Sequence, residues 1–446
     1  MDSRDTITTQ LQSLVGASAV VAWESLTEAD RRCLAGAIAP NRTPPACVVS
    51  PASVDMLQTV VECTHRNRWA IMPWGQGSKI SWGPGVQPLD VVISTAHLQQ
   101  WVDHAVGDLT LTAETGLTLA AVQAQLGQHQ QFIALDPLYD GSLGGLVATA
   151  DGGSLRQRYG GVRDMVLGLE FVRSDGEKAK AGGRVVKNVA GYDLMKLFTG
   201  SQGSLGILTQ ITLRLYPLPE SWQTVVLTGS AAIVAEATQQ VLRSTLTPIA
   251  LDLWSPGVVA ALGLAAGGTT VAPLGLAIRF GTLGVSAQEQ GQQVQALGDR
   301  LGLAAHCFTA EPEQQLWTTL RTLFQSVPGS SPAVLCKVGV LPTQAVATLQ
   351  HLGSTGPADA LGLIHGGSGL GRLRFPGEIP SPGVLESLRH HCQTHQGFVS
   401  ILEAPPSLKE QLDLWGYGGN ALGIMAGLKQ QFDPLHLLSP NRFVGG

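Results

Sequence analysis

Three glycine-rich segments restrict the fold of this chain more than any other feature of its sequence. They read "MPWGQGSKISWG" at 72–83, "DPLYDGSLGGLVATADGG" at 136–153 and "GYDLMKLFTGSQGSLGILTQITLRLYPLPE" at 191–220. Glycine tolerates backbone dihedrals that other residues resist, so successive N–H groups can turn toward an anion. Each segment taken alone could be an ordinary surface turn. Together they predict several places where the backbone approaches one long ligand.

The segment 72–83 does not match the two most familiar phosphate loops. Counting from Gly75, Ile80 stands where a P-loop requires its second glycine. The dinucleotide-binding motif G-x-G-x-x-G fails at the same place, because Gly75 and Gly77 are again followed by Ile80. A phosphate bound here therefore needs a loop of another kind.

Composition and charge exclude several functional classes. The 446 residues suffice for two or three domains, and the net charge of −5 gives no electrostatic reason to expect nucleic acid. No two cysteines form a C-x-x-C pair, which disfavours an iron–sulfur cluster, a zinc ribbon and an oxidising compartment. The uncharged run 255–278 is interrupted by Pro273, so it predicts a short helix, a turn and a buried strand rather than a membrane span. We expect a cytoplasmic protein, because the N-terminus also lacks the apolar core of a signal peptide.

Strand and helix patterns divide the chain into segments. Residues 1–46 look helical and then irregular. A strand at 48–49, a helix that begins after Ser53 and the strand "AIMP" then lead into the first glycine-rich loop, which places this loop at a strand end, where ligands commonly bind. Strands and helices with short connections alternate over 222–425, which predicts a second α+β domain with an antiparallel sheet.

The order of these motifs resembles that of a known flavoprotein family. "PWGQGS", "LDP", "GSLGGLVATADGG" and "GSQGSLGILTQITLRLYPLP" follow one another as in the PCMH-type FAD-binding domain of the vanillyl-alcohol-oxidase-type flavoproteins, over residues 47–219. The stretch 182–208, above all "KNVAGYDL" at 187–194, resembles the FAD-binding E subunit of glycolate oxidase (glycolate dehydrogenase). The C-terminal "FDPLHLLSPNRF" is similar to the closing turn of the family, with Ser439 in place of asparagine and Asn441 in place of glycine.

The resemblance implies an α+β fold with several parts. A two-subdomain PCMH-type FAD-binding domain would be followed by an α+β cap domain, which carries an antiparallel sheet and contacts substrate or a partner. The C-terminal segment would return to the FAD domain. The expected domains are an N-terminal helical extension at 1–46, the FAD-binding domain at 47–219, the cap at 220–418 and a C-terminal helix and tail at 419–446.

The resemblance also implies which residues contact the cofactor. The first loop would bind the FAD diphosphate through backbone N–H groups, "GSLGG" would approach the diphosphate and the isoalloxazine, and the backbone of Ile207 would face the adenine. Many relatives bond flavin covalently through a histidine, and Ser78 stands at that position, which implies non-covalent FAD. The expected FAD contacts are Pro73, Trp74, Gly75, Gln76, Gly77, Ser78, Asp136, Pro137, Gly141, Ser142, Gly144, Gly145, Gly152, Gly153, Gly203, Ser204, Gly206 and Ile207.

The metal-binding motif of the catalytic relatives is degraded in this chain. The family pattern His-x-Gly-Asp-Gly-Asn-x-His corresponds to "HGGSGLGR" at 365–372. His365 remains, but Ser368, Leu370 and Arg372 replace aspartate, asparagine and the second histidine. One imidazole without these partners is a poor site for a divalent metal. We therefore expect no metal and interpret His365 as a core or loop histidine.

The base of the catalytic relatives is also missing. Their Gly-Glu-His-Gly corresponds to "LEAP", in which Glu403 remains and Ala404 occupies the histidine position, where it cannot act as a general base. No catalytic residue is assigned. Arg372 and Arg374 could bind a carboxylate bidentately, but they are interpreted as solvated rim charges or as contacts to a partner subunit.

The resemblance implies a subunit of an oxidoreductase. The expected function is an FAD-carrying subunit of a glycolate dehydrogenase complex, which oxidises the small 2-hydroxy acid glycolate to glyoxylate. A sister D-type FAD subunit would supply the base, an iron–sulfur subunit would receive electrons, and the complex could associate peripherally with a membrane. Two alternatives stay open: an autonomous FAD-dependent dehydrogenase of a D-2-hydroxy acid such as lactate, and a structural partner with an empty flavin fold.

Overall fold

The computed structural model describes residues 3–184, 191–265, 273–326 and 333–443. The chain forms two compact units. The first unit comprises Met1–Gly152, Gly161–Leu218 and Gly418–Gly446, and the second comprises Gly153–Gly160 and Pro219–Tyr417.

The described residues form nineteen strands and sixteen α-helices. The strands are β1 (Val20–Ala22), β2 (Cys47–Val49), β3 (Ile71–Trp74), β4 (Val91–Ser94), β5 (Trp101–Ala105), β6 (Thr110–Glu114), β7 (Gln131–Phe132), β8 (Val166–Val172), β9 (Lys178–Gly182), β10 (Ile207–Arg214), β11 (Tyr216–Pro217), β12 (Ser221–Gly229), β13 (Ala250–Trp254), β14 (Leu274–Thr282), β15 (Ala304–Thr309), β16 (Val334–Gly339), β17 (Leu361–His365), β18 (Leu370–Phe375) and β19 (Phe398–Glu403). The α-helices are α1 (Ser3–Val15), α2 (Glu28–Ala35), α3 (Val54–Asn67), α4 (Leu119–Gly127), α5 (Leu143–Thr149), α6 (Arg156–Tyr159), α7 (Val162–Met165), α8 (Leu194–Phe198), α9 (Ala231–Arg243), α10 (Pro256–Ala261), α11 (Gly284–Leu301), α12 (Ala310–Phe324), α13 (Ala345–Thr355), α14 (Pro382–Thr394), α15 (Pro406–Gln411) and α16 (Leu422–Phe432).

A four-stranded sheet of the first unit positions the first glycine-rich loop. Its order is β1-β2-β4-β3, in which β2, β4 and β3 are parallel and β1 is antiparallel to β2. Helix α3 connects β2 to β3 and begins after Ser53, whose hydroxyl accepts a hydrogen bond from Met56 N–H at 3.2 Å. Leu57 and Val60 bury its apolar face. The chain then passes through β3 into the loop 72–83, as the sequence predicts.

A second sheet of the first unit carries the third loop. It is antiparallel throughout, in the order β5-β6-β10-β8-β9. The third glycine-rich segment runs directly into its central strand, β10, at Ile207. The C-terminal segment also belongs to this unit, because Ile71 N–H donates to Leu437 O and Ser439 N–H donates to Ile71 O, both at 2.8 Å.

The second unit contains an eight-stranded antiparallel sheet with two different faces. Its order is β15-β12-β14-β13-β17-β18-β16-β19. One face is apolar, with side chains such as Val225, Leu251 and Ile364 packed under α9, α11, α13 and α14. The alternate positions of the same strands carry buried or half-buried polar side chains: Thr224, Asp252, Arg279, His365 and Arg374.

The structure confirms the α+β class and the antiparallel sheet of the C-terminal region. Residues 1–46 lie in the first unit, where β1 pairs with β2, and the expected domain boundaries stay a prediction. The run 255–278 contains α10 and the start of β14, and its residues 266–272 lie outside the described ranges. Among the described residues, no helix combines the length and the apolar character that a membrane span requires.

Candidate functional site

The three glycine-rich segments meet at one cavity of the first unit. The first segment contributes the end of β3 and the residues after it, the second contributes α5 with its N-cap, and the third contributes the turn before β10 and the start of that strand. Thr95, which follows β4, lies outside the three segments. One residue of the C-terminal segment also reaches the cavity. Its lining consists of Pro73, Gly75, Gln76, Gly77, Ser78, Lys79, Ile80, Thr95, Ser142, Gly144, Gly145, Ala148, Thr149, Ser201, Gln202, Gly203, Gly206, Ile207, Leu208 and Arg442.

The first loop requires glycine at two positions. Gly77 has φ +75°, and a Cβ there would lie 2.6 Å from Cys33 Sγ and 2.8 Å from Trp74 Nε1. A Cβ on Gly75 would overlap the hydroxyl of Ser142, so the first and second loops approach each other too closely for a side chain. Ser142 is itself held in place as the N-cap of α5, since its hydroxyl accepts a hydrogen bond from Gly145 N–H at 3.2 Å.

The third loop closes the cavity against the first. A Cβ on Gly203 would lie 3.1 Å from Pro73 Cγ, and one on Gly206 would lie 2.9 Å from Phe171 Cδ2. The Ser201 hydroxyl is buried at the cavity and makes no hydrogen bond with the described part of the chain. A buried hydroxyl of this kind costs free energy unless a ligand pairs with it. The cavity therefore fits a polar ligand that can pair with this hydroxyl.

The structure brings together most of the FAD contacts expected from the sequence. Those that line the cavity are Pro73, Gly75, Gln76, Gly77, Ser78, Ser142, Gly144, Gly145, Gly203, Gly206 and Ile207. Those that do not are Trp74, Asp136, Pro137, Gly141, Gly152, Gly153 and Ser204. Gly141 is nevertheless adjacent, because a Cβ there would lie 2.6 Å from Ser78 Oγ. The buried Ser204 hydroxyl donates to Ser201 O at 2.5 Å and so shapes the third loop from behind.

Two cationic residues of the cavity were not predicted. Lys79 is buried, and its Nζ lies 3.4 Å from Asp151 Oδ2. Arg442 donates a hydrogen bond to Ile80 O, and burial lowers the pKa of its guanidinium to about 10. Lys79 could have been inferred because it directly follows Ser78. Arg442 had no local signal, since its place depends on the return of the C-terminal segment to β3.

The second unit ties His365 to a buried carboxylate. His365 Nδ1 lies 2.6 Å from Asp252 Oδ1, and the two residues stand opposite each other on β17 and β13. The Ser154 hydroxyl donates to the other oxygen of Asp252. Both Asp252 and His365 are buried, which agrees with the interpretation of His365 as a core histidine. Within the described ranges, no group of three or more His, Cys, Asp or Glu side chains is arranged to hold a metal ion.

The two arginines of β18 differ in their surroundings. Arg374 is 5% exposed and donates from Nη1 to Phe324 O at 2.9 Å, so its interpretation as a solvated rim charge is wrong. The Ser326 hydroxyl lies 3.4 Å from the same nitrogen and donates to Glu403 Oε2, which makes Glu403 part of this buried network. Arg372 is half-buried and lies opposite Lys337 on β16.

Comparison with known families assigns the cofactor. Residues 45–182 match the family model described as an FAD binding domain. Solved structures with the same fold are alkyldihydroxyacetonephosphate synthase (TM-score 0.71, 14% identity, covering 98% of this chain and 84% of that chain) and substrate-bound p-cresol methylhydroxylase (TM-score 0.68, 14% identity, covering 99% and 97%). The fold is thus of the PCMH type, and the cofactor is FAD, as the motifs predict.

Curated relatives match parts of this FAD-binding chain. A probable mitochondrial D-lactate dehydrogenase from Danio rerio is 37% identical over 46% of this chain and 42% of its own length. Glycolate oxidase subunit GlcD from Bacillus subtilis is 30% identical over 47% and 45%, and subunit GlcE from Escherichia coli is 39% identical over 26% and 33%. The chain thus spans less than half the length of these relatives. The finer resemblance to an E subunit stays a prediction, and residues 187–190 of its "KNVAGYDL" motif lie outside the described residues.

Proposed function

We propose that this chain is the FAD-binding subunit of a glycolate dehydrogenase complex that oxidises glycolate to glyoxylate. The observation that carries the proposal is the cavity in the first unit, where three glycine-rich loops and the C-terminal segment converge. Bound in this cavity, FAD would supply two-electron redox chemistry, and the residues around Gly77, Ser142 and Gly203 would hold it. The protein's part in this unit is to hold the cofactor through backbone N–H groups and to exclude water from it.

The replaced residues of the catalytic motifs support a division of labour. Ala404 stands where catalytic relatives carry a histidine, and Ser368, Leu370 and Arg372 replace residues of their metal motif. A general base that takes the hydroxyl proton typically contributes about 10²–10⁴-fold to such a reaction. We therefore assign the base to a sister D-type subunit and the electron acceptor to an iron–sulfur subunit. This chain then serves as a second flavin station or an assembly surface of a cytoplasmic complex, which could associate peripherally with a membrane.

One observation favours a second candidate function, an autonomous dehydrogenase of a D-2-hydroxy acid such as lactate. A buried carboxylate that accepts from Nδ1–H of a histidine fixes the tautomer with Nε2 free to accept a proton. Asp252 Oδ1 lies 2.6 Å from His365 Nδ1, a distance that fits this arrangement. Relatives named D-lactate dehydrogenase are in keeping with the same alternative.

The test uses the purified full-length chain loaded with FAD. We expect a flavin spectrum and, because position 78 is serine, a colourless pellet after acid precipitation, with all flavin in the supernatant. Anaerobic stopped-flow mixing with glycolate or D-lactate should then bleach the flavin very slowly. Addition of the D-type and iron–sulfur subunits should restore turnover.

Two outcomes of this test would contradict parts of the proposal. Bleaching of the isolated chain at ordinary enzyme rates, about 1–10³ s⁻¹, would assign catalysis to this chain and favour the autonomous dehydrogenase. A yellow pellet after acid precipitation would show a covalent link and overturn only the non-covalent assignment. Free FAD mixed with the same acids is the control for the uncatalysed reaction.

A further inference from the structure

The lining of the FAD cavity is positively charged. Among its described lining residues, Lys79 and Arg442 are cations, and aspartate and glutamate are absent. Both cations are buried, Lys79 at 5% and Arg442 at 5% exposure. Burial of a charge is costly unless an opposite charge pairs with it. FAD brings negative charge to this cavity on its diphosphate, and again on its ring system after reduction.

The contacts of Lys79 place its ammonium group between the first and second loops. A Cβ on Gly141 would lie 3.7 Å from Lys79 Nζ and 2.6 Å from Ser78 Oγ, so the glycine leaves this space open. Asp151 Oδ2 lies 3.4 Å from this ammonium group and is its counter-charge, and it also accepts a hydrogen bond from Leu138 N–H at 3.1 Å. Lys79 lines the cavity and Asp151 does not.

The ion pair between Lys79 and Asp151 is long, and the lysine can interact with a second anion while keeping this pair. Charge-assisted N–H···O hydrogen bonds are typically about 2.7–2.9 Å long, and the Lys79–Asp151 separation is 3.4 Å. An ammonium group carries three donors, so it can keep a carboxylate on one side and face a ligand on the other. Asp151 then holds the lysine at the cavity wall without occupying the cavity.

We propose that Lys79 is an FAD-contact residue that, together with Arg442, supplies positive charge to an anionic part of the cofactor. Arg442 donates to Ile80 O and thereby fixes the C-terminal segment beside the loop that carries Lys79. Recognition then combines neutral backbone N–H groups with two side-chain charges. The inference depends on FAD binding alone and is independent of which hydroxy acid is oxidised.

The experiment compares Lys79→Met with Lys79→Arg. Apo-protein is titrated with FAD at several salt concentrations, and the midpoint potential of the bound flavin is measured. If the ammonium group of Lys79 contacts the diphosphate, Lys79→Met should weaken the binding of FAD and of ADP roughly tenfold or more, which corresponds to the loss of one charge-assisted hydrogen bond. The affinity should then also depend less on salt concentration. If the charge meets the reduced ring, affinity for ADP stays the same and the midpoint potential falls. Lys79→Arg should retain most of the wild-type FAD affinity and midpoint potential in either case.

Two further variants make the result decisive. Lys180→Met removes an exposed lysine of β9 outside the cavity and should change neither affinity nor potential. Asp151→Asn removes the counter-charge of Lys79 and should tighten FAD binding or raise the potential, which tests the proposal even if Lys79→Met does not fold. Unchanged affinity and potential in a folded Lys79→Met protein, or weaker FAD binding in Asp151→Asn, would overturn the proposal.

Discussion

The FAD cavity of the first unit and the polar sheet face of the second are built from different parts of the chain. Six of the residues that line the cavity are glycines, and at Gly75 and Gly77 a Cβ would collide with neighbouring atoms, so no side chain fits there. The polar sheet face depends on side-chain pairs such as Asp252 with His365 and Glu313 with Arg279, the latter at 2.7 Å.

This difference determines how each region should respond to mutation. A site made of backbone is damaged by adding atoms, because a new side chain fills space that the ligand or a neighbouring loop uses. A face made of buried polar pairs is damaged by removing atoms, because the remaining partner stays buried without its hydrogen bond. The first region should therefore lose binding, and the second should lose stability.

The largest effect is expected from Asp252→Ala. The substitution removes the carboxylate that His365 Nδ1 and Ser154 Oγ contact, and a buried polar group that loses its partner costs about 1–3 kcal/mol. We expect the free energy of unfolding to fall by about 2–5 kcal/mol, measured by urea denaturation. Asp252→Asn keeps one oxygen as a hydrogen-bond acceptor, so its free energy of unfolding should fall by less than that of Asp252→Ala.

The matched control for Asp252 is an exposed carboxylate. Asp55 pairs with Lys178, and their side chains are 86% and 45% exposed. Asp55→Ala should change the free energy of unfolding by about 1 kcal/mol or less, because water screens such pairs. If Asp252→Ala were as mild as Asp55→Ala, the polar sheet face would not depend on its pairs, and the contrast between the two regions would fail.

The next effect is expected from Gly77→Val, which adds atoms to the backbone-built site. A residue forced into positive φ costs about 1–3 kcal/mol, and the new Cβ would meet Cys33 Sγ and Trp74 Nε1 inside 3 Å. We expect the loop to shift and FAD affinity to fall about 100-fold, measured by titration of apo-protein.

Gly16→Val separates strain from binding. Gly16 also has positive φ, at +90°, but a Cβ there meets nothing within 4 Å, and the residue does not line the cavity. This variant should lower the unfolding temperature and leave FAD affinity unchanged. Equal loss of affinity in both variants would mean that Gly77 acts through global stability and not through the loop.

The same contrast explains how much of the molecule was predictable from its sequence. The three glycine-rich segments could be recognised from the sequence because glycine spacing is a local pattern, and most of the residues expected from it line one cavity, while their contact with FAD stays a prediction. The α+β class and the antiparallel sheet followed from strand and helix patterns with short connections. Arg442 was not predicted, because its position depends on the hydrogen bonds that Ile71 makes with the distant Leu437 and Ser439.

Side-chain pairs across the sheet could not be predicted. Asp252 and His365 are 113 residues apart in sequence, and they meet only because β13 and β17 are neighbours in one particular register. The interpretation of Arg374 as a solvated rim charge was wrong for a related reason. Alternation along β18 assigns a side chain to a face of the sheet, but it does not tell whether that face is covered by another part of the chain.

The smallest expected effect is on the unfolding temperature and comes from three histidines at α13 and α14 of the second unit. It extends the comparison of the two regions to pH. The rings of His351 and His391 stack with centroids 4.3 Å apart, and His395 follows at 4.9 Å from His391. Burial, and then the neighbouring charges of His351 and His395, lower the pKa of His391 from its ordinary value of 6.5.

Because the folded-state pKa of His391 lies below its unfolded-state value, the unfolded chain takes up the proton first as pH falls. The stability contribution is therefore fully present above pH 6.5 and is lost as pH decreases from that value through the folded-state pKa. Over this pH range, we expect the unfolding temperature of the wild type to fall as pH decreases. The unfolding temperature of His391→Gln should fall less over the same range. His97→Gln, which removes an exposed imidazole from the first unit, should keep the wild-type slope. A slope that His391→Gln leaves unchanged would show that the cluster contributes nothing to the acid response, and that the pH dependence of the second unit has its source elsewhere.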